Sequence, residues 1–512
     1  MKLKPTKKTY NISDAVYNVV VNKCEFFVDM NNEAFLVSRN KNNYDLIYLS
    51  RADDAKNFFM MLYFNKYKVT VKKADISTAY ENICAIVTQC KQQTPVYTRV
   101  GYCNNTLYYD LNNQKGEVIA IDKDDVLIKS KSNIKDIYFY EDTSMCNQTE
   151  PFQSDYTLFD FIDNFYNIEK EQKLLLAVYM CAAFIPDIKH PILIVEGEKG
   201  AGKTKLLSYL SKMINPVTKD VFVLPKKEDD LITTLSNNHF SAFDNIGKLS
   251  PDFCNVFCQS STGGTLSKRK LYSDNREICI NIKRLVALNG INLEISQSDL
   301  LDRSILMHLN RIDESKRRTD EELDADFQNV LPHVLGDVFF ILSKALSIYP
   351  TVNLAEYPRM ADFSRYGYAI AEAIEEGLGS TFIKTYKDNI KLATESAVQE
   401  NPVLNSLREF VEYKKHWRGT MTELLNELQK IVRKLYISKS LPSSFPNNAN
   451  GLSRILNTHK HELKNLDVNV EIGRTTNRYV EVSKIGLNLP TIATNSTTKN
   501  DFENRKSLLD ED

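Results

Sequence analysis

The feature that most constrains this sequence is the glycine-rich stretch at residues 197–204, which reads GEKGAGKT. It follows an apolar run, residues 192–195, and precedes a segment with helical periodicity. A strand, a glycine-rich turn and a helix N-terminus are the context of a phosphate-binding loop, or P-loop, whose backbone N–H groups surround phosphate oxygens. The sequence therefore predicts a nucleotide-binding site formed by Gly197, Glu198, Lys199, Gly200, Ala201, Gly202, Lys203, Thr204 and Lys205. The alternative is a glycine-rich turn that binds no ligand.

Side chains in and beyond this loop have the chemistry for ATP and Mg²⁺. The Lys203 ammonium is placed to reach the β- and γ-phosphates, and the Thr204 hydroxyl to coordinate the metal. The apolar segment 240–243 ends in Asp244, 40 residues after Thr204, where P-loop ATPases have a carboxylate (Walker B) as a second Mg²⁺ ligand. A third apolar segment ends in Asn289. We therefore expect ATP and Mg²⁺ as cofactors, with Thr204 and Asp244 at the metal.

Composition limits the class of protein. The formal net charge is −1 over 512 residues, so any surface for nucleic acid must be local. The nine cysteines show no zinc-ligand spacing, which fits a reducing cytoplasm. The N-terminus lacks the apolar segment of a signal peptide, and the longest apolar run, residues 174–186, is too short to cross a bilayer. We expect a soluble cytoplasmic protein that does not bind membranes.

Two regions of the sequence are candidates for DNA binding. Residues 268–280 have two short apolar arms around a charged tip and predict a hairpin with Lys268, Arg269, Lys270 and Arg276; a solvated loop is the alternative. Residues 401–486 carry an excess of six positive charges, 14 basic against eight acidic residues. Their pattern of three helices followed by a hairpin predicts a winged helix. Its exposed basic residues are Arg454, Lys464, Arg474 and Arg478. Use of this module for protein packing alone is the alternative.

An ordered set of motifs, spread from about residue 95 to 486, resembles a known family. After the P-loop come FDN at 243–245, TGG at 262–264, KRKLY at 268–272, LNG at 288–290, DLLDRS at 299–304, RMADF at 359–363 and GTMTELL at 419–425. The set is similar to that of the self-loading replication helicases (Rep proteins) of phages, phage satellites and pathogenicity islands in Gram-positive bacteria. These are AAA+ ATPases related to superfamily 3 and MCM helicases.

The resemblance implies an α/β fold with an AAA+ P-loop ATPase core, an N-terminal α/β domain and a C-terminal winged-helix domain. The domains that we expect are a collar-like α/β domain at 1–150, the ATPase at 151–350, a helical linker at 351–400, the winged helix at 401–486 and a disordered acidic tail at 487–512.

The resemblance also implies roles for single residues. Lys203 and Asp244 are expected to be catalytic, with Asn289 as sensor 1 and Arg303 as an arginine finger that reaches the ATP of the neighbouring subunit. Arg359 is a second arginine candidate, and the hairpin before Asn289 is expected to hold single-stranded DNA in a central channel. Asn245 departs from the pattern of many AAA+ proteins, which have a catalytic Glu there, because an amide cannot act as a general base. Glu196 and Asp229 are the candidates left for that role.

These expectations combine into a function. The chain is expected to be an ATP-dependent replicative DNA helicase and initiator that forms a homo-hexameric ring, binds single- and double-stranded DNA, and works for a mobile genetic element in a bacterial cytoplasm with host replication proteins. One alternative is a DNA-bound AAA+ ATPase that loads or regulates other replication proteins without translocating. Another is a P-loop kinase or metabolic NTPase whose basic module binds protein.

Overall fold

The chain folds into two compact units, residues 1–397 and 398–512. The computed structural model describes residues 11–90, 93–269, 277–290, 298–435, 441–442, 445–465, 467–474 and 478–485.

The first unit begins with three helices packed on an antiparallel sheet. The helices are α1 (Ile12–Lys23), α2 (Ala52–Tyr67) and α3 (Lys73–Val87), and the sheet has the order β1 (Cys24–Val28), β2 (Ala34–Arg39), β3 (Tyr44–Tyr48). The apolar sides of α1, α2 and α3 share a core with β1 and β2. The alternating residues 68–71 predict a strand by sequence, and this is wrong. Lys68 adopts a left-handed conformation (φ 57°) that ends α2, Val69 is exposed, and no strand pairs with this segment among the described residues.

A second antiparallel sheet follows, with strands in sequence order. Its strands are β5 (Val100–Cys103), β6 (Thr106–Asp110), β7 (Glu117–Ile121) and β8 (Val126–Ser130), and β4 (Val96–Tyr97) pairs separately with β9 (Tyr138–Phe139). Residues 106–111 and 117–121 alternate around residues 112–116 and predict a hairpin there, which the pairing of β6 with β7 confirms. Left-handed conformations at Asn112 and Gly116 form its turn. The apolar side chains of β6 and β7 join the largest core of the unit, which also contains those of the central sheet.

The central sheet has five strands, all parallel, in the order β11-β12-β15-β10-β16. They are β10 (Ile192–Gly197), β11 (Phe222–Val223), β12 (Phe240–Asp244), β15 (Leu285–Asn289) and β16 (Ser304–Leu309). The helices before and between them are α4 (Leu158–Phe165), α5 (Lys170–Ala182), α6 (Lys203–Ile214), α7 (Glu228–Asn237), α8 (Pro251–Thr262) and α9 (Ser298–Leu301). Helices α5 and α6 cover one face, and α7, α8 and α9 cover the other. The expected mixed α/β class with a parallel sheet is confirmed.

Between α8 and β15 the chain forms an antiparallel strand pair, β13 (Gly264–Arg269) with β14 (Glu277–Ile282). This agrees with the hairpin predicted there, whose tip, residues 270–276, lies outside the described residues. The unit ends with three long helices, α10 (Asp320–Ile348), α11 (Ala361–Ile374) and α12 (Leu378–Glu400). Helix α10 alone among the described helices is long and apolar enough to cross a membrane, but half of its most apolar window is buried in the protein, as in a core helix.

The second unit combines four helices with a three-stranded antiparallel sheet. The elements are α13 (Pro402–Lys414), β17 (His416–Gly419), α14 (Met421–Leu435), α15 (Ala449–Thr458), α16 (Lys460–Asn465), β18 (Val468–Arg474) and β19 (Arg478–Lys484), with the sheet order β17-β19-β18. Sequence periodicity predicts a helix over 403–417, but it ends at Lys414 and Trp417 lies in β17. Periodicity also predicts one helix over 452–466, whereas the structure has two helices in this region, α15 and α16.

Two buried histidines make the stability of the first unit depend on pH. His190 precedes β10 and His239 precedes β12, and each ring Nε2 lies 2.8 Å from a backbone carbonyl oxygen, that of Ile185 and of Ala183. Burial lowers the pKa of His190 to about 4 and that of His239 to about 3. Both rings are therefore neutral in the folded protein at pH values where the unfolded chain, with an ordinary pKa near 6.5, takes up protons.

We predict that the folded state loses stability as the pH falls from about 6.5 towards 4. One pKa unit is worth about 1.4 kcal/mol, so each histidine costs roughly 2 kcal/mol between pH 6.5 and 5. Thermal unfolding at pH 7 and at pH 5 measures the effect. The His190→Asn variant should show a smaller drop in the midpoint than the wild type; equal drops would assign the pH dependence to other groups.

Candidate nucleotide site

The glycine-rich loop connects β10 to α6 at the carboxyl edge of the central sheet. Gly197, Gly200 and Gly202 have φ values of 142°, 84° and 82°, which residues other than glycine rarely adopt. A β-carbon on Gly197 would also lie 2.3 Å from the carbonyl oxygen of Leu309 in β16. The two central glycines let the loop turn tightly, and Gly197 is required by the close approach of β16.

Lys203, the first residue of α6, is only 8% exposed. Its ammonium folds back over the loop and donates hydrogen bonds to the carbonyl oxygens of Gly197 at 2.6 Å and Glu198 at 2.9 Å. The charge is therefore held within the loop by neutral acceptors. This arrangement fits an anion-binding role, because both hydrogen-bond partners of the ammonium are uncharged carbonyl oxygens.

Three side chains far apart in sequence meet beside Lys203. The Thr204 hydroxyl donates to Oδ2 of Asp244 at 2.7 Å, and the amide Nδ2 of Asn289 donates to Oδ1 of the same carboxylate. Asp244 ends β12 and Asn289 ends the adjacent strand β15, so the parallel sheet brings both to one edge. Open α/β sheets bind their ligands at the carboxyl ends of the parallel strands.

The oxygen chemistry of this cluster suits a hard divalent cation. A hydroxyl and a carboxylate, completed by phosphate oxygens and water, are typical Mg²⁺ ligands. Among the described residues, no group of three or more His, Cys, Asp or Glu side chains is arranged to hold a metal by itself. Asn289 is 3% exposed and its Oδ1 has no hydrogen-bond partner in the described part of the chain, so this oxygen is available to a water or a ligand. Thr204, Asp244 and Asn289 therefore fit Mg²⁺ bound together with a nucleotide.

The structure places the two candidates for general base differently. Along β10, Ile192 and Ile194 pack towards α7 and α8, and alternation puts Glu196 on that face. Asp244 lies on the same face of β12 as Ala242, which packs in the core on the α6 side of the sheet. Burial raises the pKa of Glu196, with His308 on the neighbouring strand acting in the opposite direction. Glu196 therefore has a raised pKa, but it belongs to the opposite face of the sheet from Asp244.

The other candidate, Asp229, is exposed in the first turn of α7. Asn245 takes a left-handed conformation (φ 58°), and its backbone N–H donates to Oδ1 of Asp244 at 2.7 Å. Asn245 thus helps to orient the Asp244 carboxylate through its backbone.

Lys205, predicted at the nucleotide, points elsewhere. Its ammonium lies 3.1 Å from Asp324 and 3.2 Å from Asp320, both in the first turns of α10. Two carboxylates of α10 therefore neutralise the charge of Lys205 within the same chain.

Arg303 lies between α9 and β16 in an ion-pair cluster. Its guanidinium is 3.0 Å from Asp299 and donates to the hydroxyl of Thr262 at 3.2 Å, and the side chain is 17% exposed. Arg359 pairs with Asp299 as well, and with Asp302. Burial raises the pKa of Asp299, but the two arginines outweigh it and the net shift is downward. Within a single chain, Arg303 is therefore paired with Asp299, as a structural arginine would be.

The predicted DNA-binding residues fall into two groups. Lys268 and Arg269 end β13, where Arg269 pairs in register with Glu277, and Lys270 and Arg276 lie outside the described residues. In the second unit the four predicted basic residues are all exposed. They are Arg454 on α15, Lys464 on α16, and Arg474 and Arg478, which face each other at the end of the β18–β19 hairpin.

One segment beside the loop escaped sequence reasoning. Residues 310–317, after β16, run along the glycines: Ile312 Cδ1 would lie 3.5 Å from a β-carbon on Gly202, and the guanidinium of Arg317 3.5 Å from one on Gly200. No motif marks this segment, and only the parallel pairing of β10 with β16 brings it to the loop.

Comparison with known proteins agrees with a replication role. Two family models match: the replication protein of actinomycete integrative conjugative elements, over residues 158–390, and the C-terminal domain of the same RepA protein, over residues 403–496. No curated protein matches the sequence.

Solved structures with a similar arrangement include the apo C-terminal region of NrS-1 (TM-score 0.40, 11% identity, 92% of this chain and 98% of that one) and the active helicase SCCmec type IV Cch (TM-score 0.44, 13% identity, 90% and 93%). The two family models describe one protein and together cover more than half of the 512 residues. Over these two stretches the chain is therefore similar to the replication proteins described for actinomycete integrative conjugative elements.

Proposed function

We propose that the loop at 197–204 binds ATP with Mg²⁺ and that the chain hydrolyses it. The observation that carries this proposal is the meeting of Thr204, Asp244 and Asn289 beside a glycine-rich loop at the carboxyl edge of a parallel sheet. Phosphoryl transfer depends mainly on positioning and charge neutralisation. Lys203 supplies a positive charge at the phosphates, Thr204 and Asp244 hold the cation, and Asn289 orients water or the γ-phosphate through its free oxygen.

Replacing Lys203 by alanine tests the assignment. Removing the single buried ammonium of the loop should reduce ATP hydrolysis to background while the fold persists, because Lys203 bonds only to loop carbonyls. Lys212→Ala is the control: it removes the same charge two turns further along α6, where Lys212 pairs with Asp220 at 3.7 Å. Steady-state ATPase rates and thermal midpoints of both variants decide the matter. A wild-type rate of ATP hydrolysis in Lys203→Ala would show that the loop takes no part in catalysis.

We further propose that this ATPase is a replicative DNA helicase and initiator for a mobile genetic element, working as a hexameric AAA+ ring in the cytoplasm. The family supports the replication role. In this proposal the β13–β14 hairpin contacts single-stranded DNA in a central channel. Host replication proteins are its further partners. Strand displacement on forked DNA with ATP is the direct test; DNA-stimulated ATPase activity without displacement would favour a loader or regulator.

The proposed ring gives Arg303 a second role. In the single chain it is bound by Asp299, but in a ring it is proposed to reach the ATP of the next subunit and stabilise the transition-state charge. An arginine supplied in this way is worth about 10³–10⁵ in rate. Arg359 is then a second arginine beside it, paired to the same aspartate.

Mixing two inactive variants tests this role. Lys203→Ala subunits keep a normal Arg303, and Arg303→Ala subunits keep a normal loop, so a complete site forms where the two adjoin in the right order. We predict that mixing restores part of the ATPase activity although each variant alone is inactive. Native mass spectrometry of differently tagged subunits establishes that mixed rings form. Mixed rings without activity at any ratio would show that Arg303 acts within its own chain.

For the second unit we propose a winged-helix module that binds duplex DNA. Support comes from its helices, its antiparallel hairpin and the exposed basic side chains on both. The unit has its own apolar core, so the basic residues can be changed without disturbing packing.

The prediction for this module concerns salt dependence. In a fragment of residues 398–512, the double change Arg454→Ala and Lys464→Ala should weaken duplex binding about tenfold or more and flatten the salt dependence, because phosphate contacts release counterions. Lys430→Ala is a matched control, since Lys430 is exposed on α14 and paired with Glu427 at 2.6 Å. Fluorescence anisotropy from low to moderate salt gives both quantities. Absence of binding at low salt would make the module a packing or partner domain.

A further inference from the structure

The segment after β16, which we call the strap (residues 310–317), lies along the glycine-rich loop and is held at both ends. At its start, the backbone N–H of Asn310 donates to the carbonyl oxygen of Asn167 at 2.8 Å, and its side chain donates to Glu169 at 2.7 Å. At its end, a 3₁₀ turn at 314–316 leads to Thr319, which caps α10 together with Glu322. The strap is therefore a fixed neighbour of the loop.

Arg317 is the charged residue of the strap that reaches the loop. One of its guanidinium nitrogens would be 3.5 Å from a β-carbon on Gly200, so it lies against the middle of the glycine-rich turn. The side chain is exposed, and no carboxylate of the described residues lies within ion-pair distance of it. The next residue, Arg318, is different: it pairs with Asp326 one helix turn or more into α10.

The two cations at the loop, Lys203 and Arg317, lie against different residues of it. Lys203 is buried and bonds to the carbonyls of Gly197 and Glu198, whereas Arg317 is exposed beside Gly200. Arginine offers five N–H donors in a planar arrangement that matches phosphate oxygens, and bonds of this kind between charged groups are about twice as strong as neutral ones. An anion seated on the loop would have both the ammonium and the guanidinium nearby.

We propose that Arg317 binds a phosphate group of the nucleotide held by the loop of its own chain. The inference rests on the proposed nucleotide site and adds to it a residue of the strap. It differs from the proposed role of Arg303, because Arg317 lies at the loop in the single chain.

The test measures the affinity of the full-length protein for MgADP by isothermal titration calorimetry, which requires no hydrolysis. Arg317→Ala should weaken MgADP binding about tenfold or more, and Arg317→Lys should recover part of the loss because it keeps a positive charge at the same place. Arg318→Ala is the matched control, one residue away but paired to Asp326, and should stay within about twofold of the wild type. Affinity should also fall less steeply with salt in Arg317→Ala.

Each outcome separates this inference from the nucleotide site itself. If the wild type binds no MgADP or MgATP, the proposed site fails. If the wild type binds and Arg317→Ala binds equally well, only the role of Arg317 is overturned. Equal weakening by Arg317→Ala and Arg318→Ala, or a fall in the thermal midpoint without nucleotide, would show that Arg317 supports the strap and does not contact phosphate.

Discussion

The Asp244 carboxylate is the interaction on which the candidate site depends. It accepts hydrogen bonds from Thr204, Asn289 and the backbone of Asn245, and so joins the first turn of α6 to the ends of β12 and β15. Asp244 is half-buried, and a carboxylate that is partly withdrawn from water is stabilised by such hydrogen-bond donors. The same bonds orient the two oxygens that a divalent cation would share, so local stability and ligand geometry have one origin.

Much of this site is readable in the sequence because it is local. The strand, the glycines and the start of α6 are contiguous, and the polar residues Asp244 and Asn289 each end an apolar run of strand length. What they do together is not local. The contact of Asn289 with Asp244 exists because β12 and β15 are adjacent in a sheet whose order is not the order of the chain.

The failures of sequence reasoning have the same cause. Residues 68–71 alternate like a strand but find no partner strand among the described residues, whereas Trp417 lies in a strand because β19 pairs with it across more than 60 residues. Lys205 directly follows the loop and its ammonium pairs with two acids of α10, while its predicted place at the nucleotide stays a prediction. Pairing and charge neutralisation across long separations decide these cases, and a periodicity of a few residues cannot express them. The roles of the individual site residues, and the domain boundaries within the first unit, remain predictions.

The bonds from Lys203 to the carbonyls of Gly197 and Glu198 have a consequence for turnover. A buried ammonium left without acceptors would make departure of a bound phosphate unfavourable, since the vacated site would hold a bare charge. Here the loop's own carbonyl oxygens solvate that charge. For the proposed nucleotide site, binding of a phosphate would therefore replace one set of acceptors for the ammonium with another.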